Sequence, residues 1–181
     1  MGKDKGKKLP QLITTSLEGD KRFVTPSSGL KIRKEGIMDL SKMYGDVRSW
    51  FSKMKYIYNE KDNTTKSKDK GEEISIKFEA YREVDGYVKN FINISFLITH
   101  VSKVKYEGKN LEKCKMEILI TAYALLDYKN KWKKSESSEK LHNFYKKYII
   151  KRRIQSYYEG GIYMELMDLK NLIQDDIGLF S

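Results

Sequence analysis

Residues 74–128 alternate between apolar and polar side chains over three long stretches, and this pattern constrains the fold more than any other feature of the chain. Successive side chains of a β-strand point to opposite faces, so a period of two is typical of a strand with one buried face. Asp85-Gly86 and the residues 107–110 separate the stretches and are typical of tight turns. The pattern therefore predicts an antiparallel meander of three long strands. The run Tyr56-Ile57-Tyr58 fits a fourth strand.

Three other segments carry apolar side chains at the spacing of an amphipathic helix. Residues 39–54 form the first, with Asp39 as its N-cap. Residues 137–158 and 162–177 form the others, and Gly160-Gly161 separates them. The polar stretch 59–73 is predicted to be an exposed loop at a hairpin tip. Together these elements predict an α+β fold, in which helices pack on one face of a three- to four-stranded antiparallel β-meander.

Residues 1–36 lack a sustained period and hold both prolines of the chain. They are predicted to be an extended basic N-terminal arm, and residues 37–181 a single α+β domain. Ordering such an arm costs about 1–2 kcal/mol of backbone entropy per residue. An ordered arm therefore needs a substantial docking surface, and we expect a second copy of the chain to provide it.

The formal net charge of +11 is unevenly distributed along the chain. Residues 1–36 carry nine basic and four acidic side chains, and residues 129–153 carry ten basic and two acidic side chains. Residues 154–181 carry one basic and five acidic side chains. Opposite charges on one molecule permit complementary contacts between identical subunits. The excess consists of 30 Lys against 6 Arg, which fits either an acidic partner or a compositional bias of the gene.

The second face of the meander combines lysines with apolar and aromatic side chains, whereas a solvated sheet face is mostly polar. Three interpretations remain open. A helix of the same chain covers this face, or another subunit or the arm covers it, or it is a nucleic-acid platform on which Tyr81, Phe91 and Tyr123 stack bases. The helix 137–158 is also apolar on two opposed sides, which is typical of a helix that is buried on both sides or that lies in an interface.

These surfaces define two sets of candidate residues. The candidate subunit interface consists of Leu12, Ile13, Phe23, Val24, Phe91, Leu97, Leu119, Tyr123, Leu125, Ile150, Ile154 and Tyr157. The candidate polyanion-binding set consists of Lys131, Trp132, Lys133, Lys134, Lys146, Lys147, Lys151 and Arg153. For this second set the alternative is a solvated lysine-rich connector that is anchored by its one Trp.

The sequence offers no catalytic constellation. It has no GxGxxG or Walker-type glycine loop, so no nucleotide site is indicated. His100 and Cys114 share the register of the core-facing strand residues and are predicted to be buried, whereas His142 is predicted to lie on a helix surface. The single cysteine excludes a disulfide framework and a zinc site built on paired thiolates. We therefore expect no enzyme activity, no cofactor and no metal.

The chain also gives no indication of a membrane or secretory segment. No apolar region follows the basic start, so no secretory signal is expected. The longest apolar run, 118–126, is far shorter than the ~20 residues of a transmembrane helix. A cytoplasmic location is the default expectation, with export by another route left open.

The predicted function is that of a non-enzymatic, self-associating structural or interaction protein. Its N-terminal arm and second sheet face would join copies into a homo-oligomer, a ring or a filament. The alternative is a basic protein that binds nucleic acid or associates with the ribosome.

Overall fold

The computed structural model describes residues 20–68, 71–106 and 108–178. They form a six-stranded antiparallel sheet with helices on one face. The strands are β1 (Lys21–Phe23), β2 (Leu30–Met38), β3 (Ile57–Lys68), β4 (Gly71–Glu83), β5 (Val88–Tyr106) and β6 (Lys109–Leu126). β3 to β6 are a meander of consecutive neighbours, while β1 and β2 lie along the other side of β6. The predicted α+β class is confirmed, and the sheet is larger than predicted.

The helices are α1 (Leu40–Lys53), α2 (Glu136–Phe144), α3 (Lys151–Arg153) and α4 (Gly160–Gly178). Two π-helical segments, Tyr145–Ile149 and Ile154–Glu159, connect the last three. Gly160 and Gly161 lie within the helical run, so the break predicted there is wrong. A glycine costs a helix only about 1 kcal/mol, and packing of the following apolar stripe against the sheet outweighs that cost.

The first helix begins at Asp39, whose carboxylate accepts a hydrogen bond of 2.8 Å from the amide of Lys42. Its predicted apolar stripe faces the core, and it packs beside α4 on the sheet. The core consists of this stripe, the stripe of α4 and the even-numbered residues of β5 and β6. Cys114 is among these residues, so its predicted burial is confirmed.

His100 is exposed, so its predicted burial is wrong. The pairing of β5 with β6 shifts by one residue between Thr99 and Ser102, and His100 has a left-handed φ of 59°. Such a bulge inserts one extra residue and reverses the alternation beyond it. Val101 therefore packs against the core, at the place that an uninterrupted period of two assigns to His100.

The predicted loop 59–73 is wrong for most of its length. Residues 57–68 and 71–83 are paired strands of one long hairpin, and only the tip, residues 69–70, lies outside the described part of the chain. Residues 61 and 63–67 are exposed on both faces of the strand, so neither face requires an apolar alternation there. A polar sequence is therefore compatible with strand pairing here.

The described part of the arm docks on its own chain. β1 pairs with residues 123–125 of β6 and β2 pairs with residues 112–120. Arg22 lies 3.9 Å from Glu159, so a contact between the arm and the acidic C-terminal segment forms within one molecule. The division predicted at residue 36 falls inside β2, because this strand runs to Met38. The expected docking of the arm on a second copy is thus not needed for residues 20–36.

Candidate interaction surface

The face of the sheet opposite the helices is open. In the part of the chain that the structure describes, the buried residues of the helices pack with the even-numbered residues of β5 and β6. The odd-numbered residues of β6, and those of β5 up to Thr99, point to the other side, where no described helix packs. We call this side the open face. The interpretation that a described helix of the same chain covers it is therefore wrong.

A single row of apolar side chains crosses the open face. Each member lies directly opposite the next on the neighbouring strand, in the order Ile57, Tyr81, Phe91, Tyr123 and Phe23. The rings of Phe91 and Tyr123 are 4.9 Å apart and inclined by 11°, and those of Phe23 and Tyr123 are 5.1 Å apart. We call this row the aromatic ladder. Directly opposed aromatic pairs stabilise a sheet by about 0.2–1 kcal/mol each.

Leucines and lysines surround the aromatic ladder. Leu97 is exposed, whereas Leu119 and Leu125 are half-buried. The ammonium of Lys89 lies 4.7 Å from the ring centre of Tyr81, and that of Lys21 lies 5.3 Å from that of Tyr123. The lysines thus cover part of the rings through cation–π contacts and leave the leucines accessible.

Four carboxylates also stand on the open face, and each pairs with a basic side chain. The closest pairs are Arg33 with Glu117, at 2.5 Å, and Lys61 with Glu79, at 2.6 Å. The other two pairs are Lys89 with Glu83 and Lys115 with Glu35. The face therefore presents both signs of charge side by side.

This geometry bears on the nucleic-acid interpretation. Base stacking needs a ring whose face is free. Phe91 and Tyr123 instead turn their faces towards each other, so they present mainly their edges to solvent. The four carboxylates in addition occupy basic side chains that would otherwise be available to phosphates. The open face is therefore better suited to a protein than to a nucleic acid.

The structure brings six of the predicted interface residues together on the open face: Phe23, Phe91, Leu97, Leu119, Tyr123 and Leu125. Val24 and Ile154 are instead buried within the chain's own core. Ile150 packs against the same cluster as Ile154, and Tyr157 is exposed on the helical segment. Leu12 and Ile13 lie outside the described residues.

Sequence reasoning missed Ile57 as a member of the aromatic ladder. Its position depends on the register of β3 against β4, where it faces Tyr81. The alternation within β3 is too weak to indicate that register. The sequence could have placed Ile57 opposite Tyr81 only if the predicted fourth strand at Tyr56-Ile57-Tyr58 had been extended into a paired hairpin.

The predicted polyanion set is divided by the structure. Lys146 and Lys133 lie 2.7 Å and 3.1 Å from the carboxylate of Asp20, and Arg153 lies 3.6 Å from that of Asp85. Trp132 stacks on His142, with ring centres 5.3 Å apart. This Trp therefore anchors its connector. The exposed members of the set are Lys131, Lys133, Lys134, Lys147, Lys151 and Arg153.

His142 is buried rather than on a helix surface, so that prediction is wrong. Its Nε2 lies 2.7 Å from the hydroxyl of Tyr87, and its ring is covered by Trp132. Burial lowers the pKa of His142, and the nearby Lys146 lowers it further. The neutral imidazole therefore shares a hydrogen bond with the hydroxyl of Tyr87 and serves the packing of α2 on the sheet.

On the helix face, beyond the start of α1, the sheet is incompletely covered and forms a cleft of about 700 Å³. Its floor consists of Ile74, Ile76, Phe96 and Ile98. This size is typical of small-molecule sites. The rim carries Glu72, Lys103 and Glu112, so its charges do not select one class of ligand.

The fold and its surfaces define an α+β protein with one open sheet face. No group of His, Cys, Asp and Glu side chains able to hold a metal ion occurs in residues 20–68, 71–106 and 108–178. Over the same ranges, every helix is too short or too polar to cross a membrane. No protein-family model, curated protein or solved structure is significantly similar to this chain.

Proposed function

We propose that this protein is a non-enzymatic, self-associating structural or interaction module that buries its open face against a second copy of the chain. The aromatic ladder supports this proposal, because it places an apolar row across five strands on a face that no described helix covers. Exposed apolar surface of this extent is typical of interaction sites.

The dimensions of the open face suit a protein interface. From Lys115 to Leu125 it measures roughly 34 Å along β6, and across five strands it measures roughly 19 Å. The product is of the same order as the ~800 Å² that each partner contributes to a standard interface. The face is therefore large enough for a specific dimer.

The charges of the open face favour a copy of itself as the partner. A two-fold contact brings the same patch of both subunits together. Since carboxylates alternate with Lys and Arg on this face, a rotation can place Glu79 or Glu117 of one subunit against basic groups of the other. Pairing through the free edge of β3 is disfavoured, because Lys61 and Lys66 and a register shift interrupt that edge.

A ring or filament needs a second, heterologous contact in addition to the two-fold one. The two-fold contact alone closes as a dimer. Electron microscopy at high protein concentration distinguishes closed dimers from extended assemblies.

Sedimentation velocity over a concentration series tests the proposal. We expect the full chain to form dimers or larger species and the double variant Leu97→Glu, Leu119→Glu to sediment as a monomer. Met164→Glu is the matched control, because Met164 is an exposed apolar residue on α4, on the helix side of the molecule. A full-length chain that stays monomeric at high concentration contradicts the proposal, as does an assembly that survives the double variant. Sequence-independent binding of single-stranded DNA at low salt, lost in the double variant, would instead favour the nucleic-acid alternative.

A further inference from the structure

The helical segment from α2 to the second π-helical segment contacts the sheet through a narrow stripe. This stripe repeats every four residues and consists of His142, Lys146, Ile150, Ile154 and Tyr158. In a regular α-helix a period of four drifts by about 40° at each step. The two π-helical segments, with their longer i to i+5 hydrogen bonds, widen the winding and keep the stripe on the sheet. Apart from the half-buried Tyr145 and the buried Glu159, most other side chains of the segment are exposed.

The outward side of this segment exposes a group of large apolar side chains. Leu141, Phe144, Tyr148 and Ile149 are 57%, 53%, 63% and 63% exposed. The rings of Phe144 and Tyr148 lie 5.0 Å apart, and Leu141 and Ile149 lie three residues before Phe144 and one residue after Tyr148. A single exposed apolar residue is ordinary, whereas a contiguous patch indicates a binding surface. We call these four residues the outer patch.

The exposed charge beside the outer patch is mainly basic. Residues 140–158 contain six Lys and Arg and no Asp or Glu, and three of these cations, Lys140, Lys146 and Arg153, pair with Glu136, Asp20 and Asp85. Lys147 and Lys151 are exposed beside the patch, and Arg152 is exposed beyond its end. The surface therefore combines apolar and aromatic groups with a strongly basic surround.

We propose that the outer patch and its surrounding lysines bind the surface of an anionic lipid bilayer. An amphipathic helix lying in the plane of a membrane places Leu and Phe at the acyl boundary and Lys and Arg at the headgroups. Each cation near an anionic membrane strengthens binding by about fivefold. Charge complementarity therefore selects a negatively charged bilayer.

Two other partners fit this surface less well. A nucleic acid would pair with the lysines but would leave the aliphatic Leu141 and Ile149 in water, because phosphates offer them no apolar contact. A second copy of the same surface would oppose the exposed cations Lys147, Lys151 and Arg152 with the same three cations of the other subunit. The outer patch lies on the helix side of the sheet, so this binding does not depend on the proposed self-association through the open face.

Vesicle flotation of the full chain tests this proposal. We expect it to float with vesicles of phosphatidylcholine and phosphatidylglycerol mixed about 7:3, and not with pure phosphatidylcholine. The variant Phe144→Ser, Tyr148→Ser removes apolar groups, and Lys147→Gln, Lys151→Gln removes charge. Each should lower the partition coefficient at least tenfold. Met164→Ser and Lys53→Gln are matched controls, since Met164 is 65% exposed on α4 and Lys53 is exposed on α1.

A second measurement reports insertion directly. Tryptophan placed at position 144, as Phe144→Trp, should be quenched by lipids brominated in the acyl chain, whereas Met164→Trp should not. Absence of flotation with anionic vesicles overturns the proposal. Flotation that is lost on charge removal but kept in Phe144→Ser, Tyr148→Ser also overturns it, because that result is electrostatic adsorption alone. Circular dichroism checks that each variant keeps its fold, and the exposure of all four altered side chains makes loss of fold unexpected.

Discussion

Lys146 Nζ lies 2.7 Å from Asp20 Oδ1, and the two side chains are only 14% and 7% exposed. Lys146 belongs to the first π-helical segment, and Asp20 directly precedes β1. Lys133 reaches the same carboxylate from the connector before α2. One carboxylate therefore ties the start of the described chain to two parts of its C-terminal third.

Replacing Asp20 by Asn should destabilise the protein by about 2–3 kcal/mol at neutral pH, because Lys146 would remain buried without its counter-charge. Burial by itself raises the pKa of Asp20, but the hydrogen bonds and charges of Lys146 and Lys133 outweigh it and hold that pKa below its ordinary value. A lowered pKa stabilises the fold above the unfolded value of about 4, and the contribution is lost as the pH falls through the folded value.

Urea denaturation checks this prediction. The difference in the free energy of unfolding between the natural chain and Asp20→Asn should be largest near pH 7 and shrink towards about pH 2. Asp175→Asn, at an exposed position of α4, is the control and should change little. An equal cost in both variants would contradict the role of the buried pair.

His142 should make stability fall as the pH drops from neutral. Burial and the nearby Lys146 lower its pKa in the folded state, so the unfolded chain takes up a proton first. The folded state therefore loses stability below the ordinary histidine value of about 6.5. His142→Gln keeps an acceptor for Tyr87 and should flatten the curve of Tm against pH between about 5 and 7.5. His100→Gln, on the exposed bulge, should leave the curve unchanged; a flattening there would contradict this assignment.

Replacement by alanine should change the stability of the protein in opposite directions at two glycines. Gly29 has a φ of +73°, and a Cβ there would lie 2.5 Å from Leu119 Cδ1 and 3.1 Å from the carbonyl oxygen of Ile120. Gly29→Ala should therefore lower stability by about 1–3 kcal/mol. Gly45 lies within α1 with nothing within 4 Å of its Cβ position. Gly45→Ala should raise stability by about 1 kcal/mol. Thermal denaturation measures both variants. A stabilised Gly29→Ala would contradict the left-handed backbone and the close contacts at Gly29.

Cys114 should be nearly unreactive in the folded protein. Burial, together with the charge of Glu112, raises the pKa of its thiol to about 11. At about pH 8 little thiolate forms, so reaction with an aromatic disulfide reagent should be at least a hundredfold slower than in guanidinium chloride. Ser49→Cys places a second thiol at an exposed position of α1 and should react at the rate of a free thiol. Rapid reaction of Cys114 in the natural chain would contradict its burial.

The local sequence pattern was sufficient to predict the structure where one physical requirement, the burial of one face, acts over many residues. The alternation in β5 and β6, the stripes of α1 and α4 and the turn at Asp85-Gly86 are all visible in the sequence, because burial of one face requires the matching period. The burial of Cys114 follows from the same parity. Five of the six clustered residues of the open face lie on β5 and β6 and were also predicted, since they share the opposite parity, whereas Phe23 was predicted only as an apolar residue of the arm.

Tertiary structure alone decided features that depend on pairing between distant segments. The bulge at His100 reverses the alternation of faces along β5 without a change in the composition of the strand. The placement of Ile57 depends on the register of β3 against β4. The arm supplies strands because β6 offers it a free edge, which no local pattern records. His142 is buried because Tyr87 and Trp132 meet it from elsewhere in the chain. A sequence determines which faces need burial, whereas the choice of the neighbour that buries each face is a property of the whole fold.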